Sequence, residues 1–109
     1  YVTGVSMGGN GVWVTMVRHP GFFAAAIPVC AGGSPRTVTR AAAQYPVWVF
    51  HSDDDHLIPV QSAREMVKAW RNHGGVAKYT EYTGLKHSSW QKAYTELAMY
   101  DWLLQQTLH

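Results

Sequence analysis

The residues that decide the fold are Tyr1-Val2-Thr3-Gly4-Val5-Ser6-Met7-Gly8-Gly9, at the beginning of the 109-residue sequence. Residues 1–5 are rich in aromatic and β-branched side chains, which favour a buried strand. After the glycines, apolar side chains recur at helical spacing up to Pro20-Gly21: Val12, Trp13, Met16 and Val17. This pattern predicts a strand, a tight glycine-rich turn and a helix over about residues 8–19.

The alternation of strand and helix patterns continues along the chain. Strands are predicted at residues 24–29, 46–50 and 76–82, and the middle one is the continuous apolar run of a strand buried on both faces. Helices are predicted at residues 60–73 and 94–104, with a short helix within 35–44. The stripe expected to pack the last helix consists of Leu97, Tyr100, Leu103 and Leu104. Strands separated by helices indicate an α/β fold, in which a parallel sheet carries helices on both faces.

Composition excludes several classes of protein. Hydrophobic residues make up 47% of the chain and charged residues 15%, which is typical of a folded domain rather than a disordered segment. No apolar run approaches the roughly 18 residues that a membrane-spanning helix needs. The net charge is only +2 and the basic residues are scattered, so no nucleic-acid partner is predicted.

The motif Gly4-Val5-Ser6-Met7-Gly8 matches the G-x-S-x-G pattern of a nucleophile elbow, between a predicted strand and a predicted helix. Such a turn holds the serine in a strained conformation that raises its hydroxyl above the sheet, and both flanking glycines are expected to be crowded. The helix start supplies free N–H groups, so the Met7 N–H is the expected oxyanion donor. The alternative is a glycine-rich turn without catalysis.

A serine hydroxyl needs a base to take its proton, and the base needs an acid to orient it. An acid and a histidine follow in that order, each in a loop after a predicted strand: Asp55 within residues 50–59 and His87 within 84–90. The carboxyl ends of parallel strands lie along one edge of the sheet, so Ser6, Asp55 and His87 are expected to meet there.

These motifs resemble those of the α/β-hydrolase serine esterases. The resemblance is strongest to the phospholipase/carboxylesterase group and to esterases often labelled predicted peptidases, which are akin to feruloyl esterases and polyhydroxybutyrate depolymerases. It covers essentially the whole chain and rests on the elbow and three further motifs: Asp55-His56-Leu57-Ile58-Pro59, Lys86-His87-Ser88-Ser89-Trp90 and Tyr100-Asp101-Trp102-Leu103-Leu104. It implies that Ser6 is the nucleophile, His87 the general base and then acid, and Asp55 the group that orients His87.

The resemblance also carries an expectation about completeness. In this fold the second oxyanion donor comes from a loop after an earlier strand, and only five residues precede Ser6 here. Residues 1–109 are therefore expected to be the carboxyl-terminal part of a single α/β-hydrolase catalytic domain whose amino-terminal strands are absent. Such a chain is expected to need the missing half or self-association.

The identity of the acid and the role of the surrounding cluster stay open. Asp53, Asp54 and Asp55 are consecutive, and the motif register favours Asp55, with Asp54 next. The other two aspartates are expected to cap or solvate the loop. The residues from His51 to His56 could instead hold a metal ion, although no H-E-x-x-H spacing supports this interpretation. Without a metal, His51 is expected to support the loop within residues 50–59 that carries Asp55, here called the acid loop.

Two tryptophans and the cysteine also have alternative roles. Trp90 could form a wall of the substrate site or pack in the core, and Trp13 could pack beneath the elbow or line a pocket. Cys30 is interpreted as a small buried residue that lacks a nearby base.

The predicted function is a serine carboxylesterase that hydrolyses small-molecule or polymer-derived esters through an acyl-enzyme, with no metal or cofactor. A serine peptidase of the same fold is one alternative, because the sequence reveals no specificity pocket. Another alternative is a non-catalytic fragment or interaction module, which keeps Ser6, Asp55 and His87 but lacks the loop that carries the second oxyanion donor.

Overall fold

A single parallel sheet organises the computed structural model, which describes residues 1–108. Its strands are β1 (Val2–Val5), β2 (Ala26–Val29), β3 (Val47–Ser52) and β4 (Ala77–Tyr82), and they lie side by side in the order β1-β2-β3-β4. All neighbouring strands pair in parallel. The predicted α/β architecture is therefore confirmed, and the carboxyl ends of all four strands lie along one edge.

The helices are α1 (Met7–Arg18), α2 (Arg40–Ala43), α3 (Val60–Asn72), α4 (Trp90–Ala93) and α5 (Leu97–Leu104). Short 3₁₀ turns occupy Pro35–Thr37 and Lys86–Ser88. Within residues 1–108, no helix has the length and apolar character needed to cross a membrane.

The sheet is covered on both faces, as predicted. Because right-handed crossovers between sequential parallel strands place their helices on the same side, α1, α2 and α3 share one face. There Trp13 and Trp70 are buried against each other, with ring centroids 5.4 Å apart. On the other face, Phe50 packs with Ala93 and Met99, which belong to α4 and α5. The sheet thus lies between two hydrophobic cores.

Two predicted helices were wrong in detail. The helix expected within residues 35–44 is a 3₁₀ turn followed by α2, because the Thr39 hydroxyl accepts a hydrogen bond from the Ala42 N–H at 3.1 Å and starts a new helix there. The helix expected over residues 94–104 begins only at Leu97. The expected stripe was confirmed only at Leu103, which is partly buried against the core. Its other members, Leu97, Tyr100 and Leu104, are exposed, and the buried residue of this helix is Met99.

The two edges of the sheet differ in chemistry. Among the described residues, β1 pairs only with β2, and β4 pairs only with β3. The edge strand β4 carries Lys78 and Glu81, and charged side chains of this kind discourage edge-to-edge association. The other edge, β1, has the sequence Val-Thr-Gly-Val and no charged side chain. The open side of β1 is therefore the side more prone to pair with another strand.

We expect the protein to self-associate through the open side of β1. The backbone groups on that side have no partner among the described residues, so they can pair with a strand of another chain. Sedimentation velocity measures the association, and a protein that stays monomeric as its concentration is raised would contradict this expectation.

Candidate active site

Ser6 lies at the sharp junction between β1 and α1. Its backbone has φ +56° and ψ −116°, a strained conformation for a residue with a side chain. The Ser6 N–H donates to the Val29 carbonyl of the neighbouring strand at 2.9 Å, and the Asn10 N–H donates to the Ser6 carbonyl at 3.0 Å. The turn is thus fixed from both sides, which matches the geometry expected of a nucleophile elbow.

The glycines around the elbow are not equally crowded. A Cβ on Gly4 would collide with the Gly8 carbonyl group, and a Cβ on Gly9 would lie 2.5 Å from the Ala31 Cβ. A Cβ on Gly8, in contrast, would meet nothing within 4 Å among the described residues. The expectation that Gly8 is crowded was therefore wrong, because it is Gly9 that faces β2 while Gly8 faces outward.

The loop after β4 brings His87 to the elbow. The His87 Nε2 lies 2.8 Å from the Ser6 Oγ, and the His87 Nδ1 lies 2.7 Å from the Asp55 Oδ2. A neutral imidazole satisfies both contacts when its Nδ1–H donates to the carboxylate and its Nε2 accepts the serine proton. The structure thus brings the three sequence-predicted residues together in one hydrogen-bonded chain.

Asp55 is held as a buried carboxylate. It is 6% exposed, and its Oδ1 accepts hydrogen bonds from the N–H groups of Leu57 at 2.9 Å and Ile58 at 2.8 Å. Burial by itself raises the pKa of Asp55, but the Ile58 N–H, the His87 imidazole and the Leu57 N–H together hold it below its usual value. The carboxylate therefore stays ionised beside His87 and favours the orientation in which the Nδ1 carries the proton.

The neighbouring aspartates have other partners. The Asp53 Oδ2 accepts a hydrogen bond from the Thr83 hydroxyl at 3.2 Å. The Asp54 Oδ1 accepts from the Ser52 hydroxyl at 2.8 Å and from the Lys86 N–H at 2.9 Å. Residues 1–108 contain no group of three or more His, Cys, Asp or Glu side chains arranged to hold a metal ion. Asp55 is thus the aspartate that meets His87.

His51 supports the acid loop from the end of β3. It is fully buried at the end of β3, and its Nε2 lies 2.7 Å from the Ile58 carbonyl and 3.5 Å from the Asp55 Oδ2. Because a carbonyl can only accept, the Nε2 carries a proton and donates it to Ile58. This bond fixes the segment whose N–H groups bind Asp55.

Cys30 lies beside the elbow as a buried thiol. It directly follows β2 in the left-handed region, with φ +42°, and it is fully buried. Burial raises the pKa of its thiol, so the sulfur is held in the protonated form that is a weak nucleophile.

Three further candidate residues have different surroundings. Met7 is the first residue of α1, so its N–H has no helical carbonyl partner and is available next to Ser6. Trp90 is half-buried and meets the His87 ring edge-to-face, with centroids 6.0 Å apart. Trp13 is buried in the core and also borders a groove of about 480 Å³, together with Asn10 and Ile58.

We expect Asp55→Asn to lower kcat by about four orders of magnitude. In serine triads generally, an amide in place of the acid favours the wrong tautomer of the histidine. Asp53→Asn and Asp54→Asn are expected to stay within about tenfold, since neither residue touches the imidazole. Steady-state kinetics of the three variants check this ranking, and a greater loss at Asp54 would move the acid to that residue.

Comparisons with known proteins agree with this geometry. A model of the Dienelactone hydrolase family matches residues 1–101. In the crystal structure of a thermostable esterase, 39% of the aligned residues are identical to this chain, with a TM-score of 0.91 over 97% of this chain and 30% of that one. The structure of esterase PE8 has a TM-score of 0.80 at 22% identity, over 94% of this chain and 49% of that one, and shows a shared fold.

A shorter similarity connects the chain with a curated protein. The secreted triacylglycerol lipase LIP3 of Malassezia restricta is 42% identical over 40 residues, which are 37% of this chain and 8% of the lipase. The chain thus spans half or less of the length of each of these relatives. The α/β-hydrolase resemblance inferred from the motifs is confirmed.

Proposed function

Because this chain belongs to the dienelactone hydrolase family, we propose that it forms the catalytic part of a serine hydrolase that cleaves carboxylic esters. One observation carries the proposal: the hydrogen-bonded chain from the Ser6 Oγ through His87 to Asp55, with contacts of 2.8 and 2.7 Å. A nucleophile, a base and an orienting acid in this arrangement perform acyl transfer. The likeness to a thermostable esterase at 39% identity supports an ester as the substrate class.

The acylation step follows from the positions of these atoms. The Ser6 Oγ attacks the carbonyl carbon of the ester while its proton moves to the His87 Nε2. Negative charge develops on the carbonyl oxygen, where the Met7 N–H at the start of α1 can stabilise it. When the carbon–oxygen bond to the alcohol breaks, His87 returns the proton to the departing oxygen. An acyl group then remains on Ser6.

Deacylation repeats the same proton transfers with water. His87 takes a proton from a water molecule, whose oxygen attacks the acyl carbon, and then returns the proton to Ser6 as the carboxylic acid leaves. Asp55 stays ionised throughout, because its Oδ1 keeps both backbone N–H donors while the imidazole is charged. Trp90, which lies against His87, is the side chain we propose as a wall of the substrate site.

Covalent labelling tests the proposal directly. A fluorophosphonate is expected to modify Ser6 in a preparation that hydrolyses p-nitrophenyl esters, and mass spectrometry of the peptide that contains Ser6 identifies the site. Dialysis against a chelator is expected to leave turnover unchanged. Faster turnover of aminoacyl anilides than of esters would favour a peptidase. An absence of labelling would favour the non-catalytic module.

A further inference from the structure

The loop that carries His87 is fastened to the end of β3 by two side chains. The Leu85 N–H donates to the Ser52 Oγ at 3.1 Å, and the Lys86 N–H donates to the Asp54 Oδ1 at 2.9 Å. The Ser52 hydroxyl donates its own proton to the same Asp54 Oδ1 at 2.8 Å. The N–H groups of the two residues directly before His87 are therefore held by hydrogen bonds to Ser52, the last residue of β3, and to Asp54, two residues later.

The backbone at this attachment is strained. Lys86 has φ +53°, in the left-handed region that residues with side chains rarely adopt. Such a conformation persists only where the surroundings hold it in place. The 3₁₀ turn Lys86–Ser88 begins at this residue, so the Lys86 backbone sets the direction in which the His87 side chain leaves the loop.

The two holding side chains are suited to this task. Ser52 is fully buried, so its hydroxyl has few orientations and its oxygen is a fixed acceptor. The Ser52 hydroxyl and the Lys86 N–H lower the pKa of Asp54, so this carboxylate is ionised and binds the N–H by a charge-assisted hydrogen bond. Neither side chain contacts the imidazole, so any effect on catalysis must act through the position of His87.

We propose that Ser52 and Asp54 form a histidine clasp, which positions His87 for proton exchange with Ser6. The inference rests on the function proposed above for Ser6, His87 and Asp55. The clasp makes Asp54 a positioning residue and gives the two adjacent aspartates different tasks: Asp55 orients the ring, and Asp54 places the backbone that carries it.

The clasp predicts that the acceptor oxygen of Asp54 matters more than its charge. In an ester-hydrolysing preparation of the protein, Asp54→Ala should lower kcat about a hundredfold, a loss that an ångström-scale displacement can cause, with KM within about twofold. Asp54→Asn keeps an acceptor for the Lys86 N–H and should stay within about tenfold. The control Asp53→Ala removes an exposed carboxylate from the same loop and should stay within about twofold.

A signal that does not depend on turnover separates the clasp from the proposed function. The proton shared by the His87 Nδ1 and Asp55 should give a low-field ¹H NMR resonance, which Asp54→Ala should weaken and Asp54→Asn should preserve. A wild-type protein that keeps this resonance but shows no labelling of Ser6 would refute the proposed function and leave the clasp standing.

Three outcomes would overturn the clasp. They are wild-type kcat in Asp54→Ala, an equal loss in Asp54→Asn and Asp54→Ala, and an unchanged low-field resonance in a folded Asp54→Ala variant. If circular dichroism shows Asp54→Ala to be unfolded, Ser52→Ala decides the matter instead. It removes one oxygen from a buried site and should lower kcat about tenfold, so wild-type kcat in that variant would refute the clasp.

Discussion

Ser6→Ala is expected to abolish nearly all ester hydrolysis, with a loss in kcat of about a millionfold in any active form of the protein. The Ser6 Oγ is the atom that lies 2.8 Å from the His87 Nε2, and it is raised above the sheet by a backbone at φ +56°. Without it, no acyl-enzyme can form. Hydrolysis that remains would depend on water and on the oxyanion donors alone. Steady-state kinetics with a p-nitrophenyl ester measure the loss.

The matched control is Ser34→Ala, which removes an exposed serine from the loop after β2. It should leave kcat within about twofold. The fold of Ser6→Ala should also be intact, because the side chain is deleted while the backbone bonds of Ser6 to Val29 and Asn10 remain. A folded Ser6→Ala variant that keeps most of its activity would refute the assignment of the nucleophile.

Much of the candidate site could be predicted because its residues lie next to strong local signals. Ser6 follows a strand and precedes a helix within nine residues, and Asp55 and His87 follow strands that are recognisable from their apolar or alternating pattern. A parallel sheet then brings the three loops to one edge without any further information. Local pattern and general topology were not sufficient to choose the aspartate, and the register of the family motif was needed to favour Asp55 over Asp54.

The face of α5 could not be predicted from spacing. The predicted stripe of Leu97, Tyr100, Leu103 and Leu104 has helical intervals. The set Met99, Trp102 and Leu103 has them too, so two stripes that share Leu103 compete. The structure buries Met99 and half-buries Trp102 and Leu103, because this side meets Trp48 and Phe50 on the sheet. Only the position of the partner face distinguishes the two stripes.

The histidine clasp could not be predicted from the sequence either, because its hydrogen bonds join residues that are far apart in the chain. Ser52 and Leu85 are 33 positions apart, and Asp54 and Lys86 are 32 apart, so no local pattern connects them. The extension of β3 to Ser52, two residues past the predicted strand end, is what brings these groups within reach. The sequence does not predict the left-handed backbone of Lys86, because such a conformation is usually indicated by glycine or asparagine and not by lysine.

His87→Ala is expected to be as damaging as Ser6→Ala, at about a millionfold in kcat, because a serine without its base is a weak nucleophile. The double variant Ser6→Ala/His87→Ala should lose little more than either single variant, since both residues serve one proton transfer.

His56→Ala is the matched control: His56 is exposed in the acid loop, one residue after Asp55, and it should stay within about twofold. Kinetics of the three variants on one ester substrate decide the assignment of the base. A severe loss at His56 with a mild loss at His87 would mean that the base is His56, and additive losses in the double variant would mean that Ser6 and His87 act in separate steps.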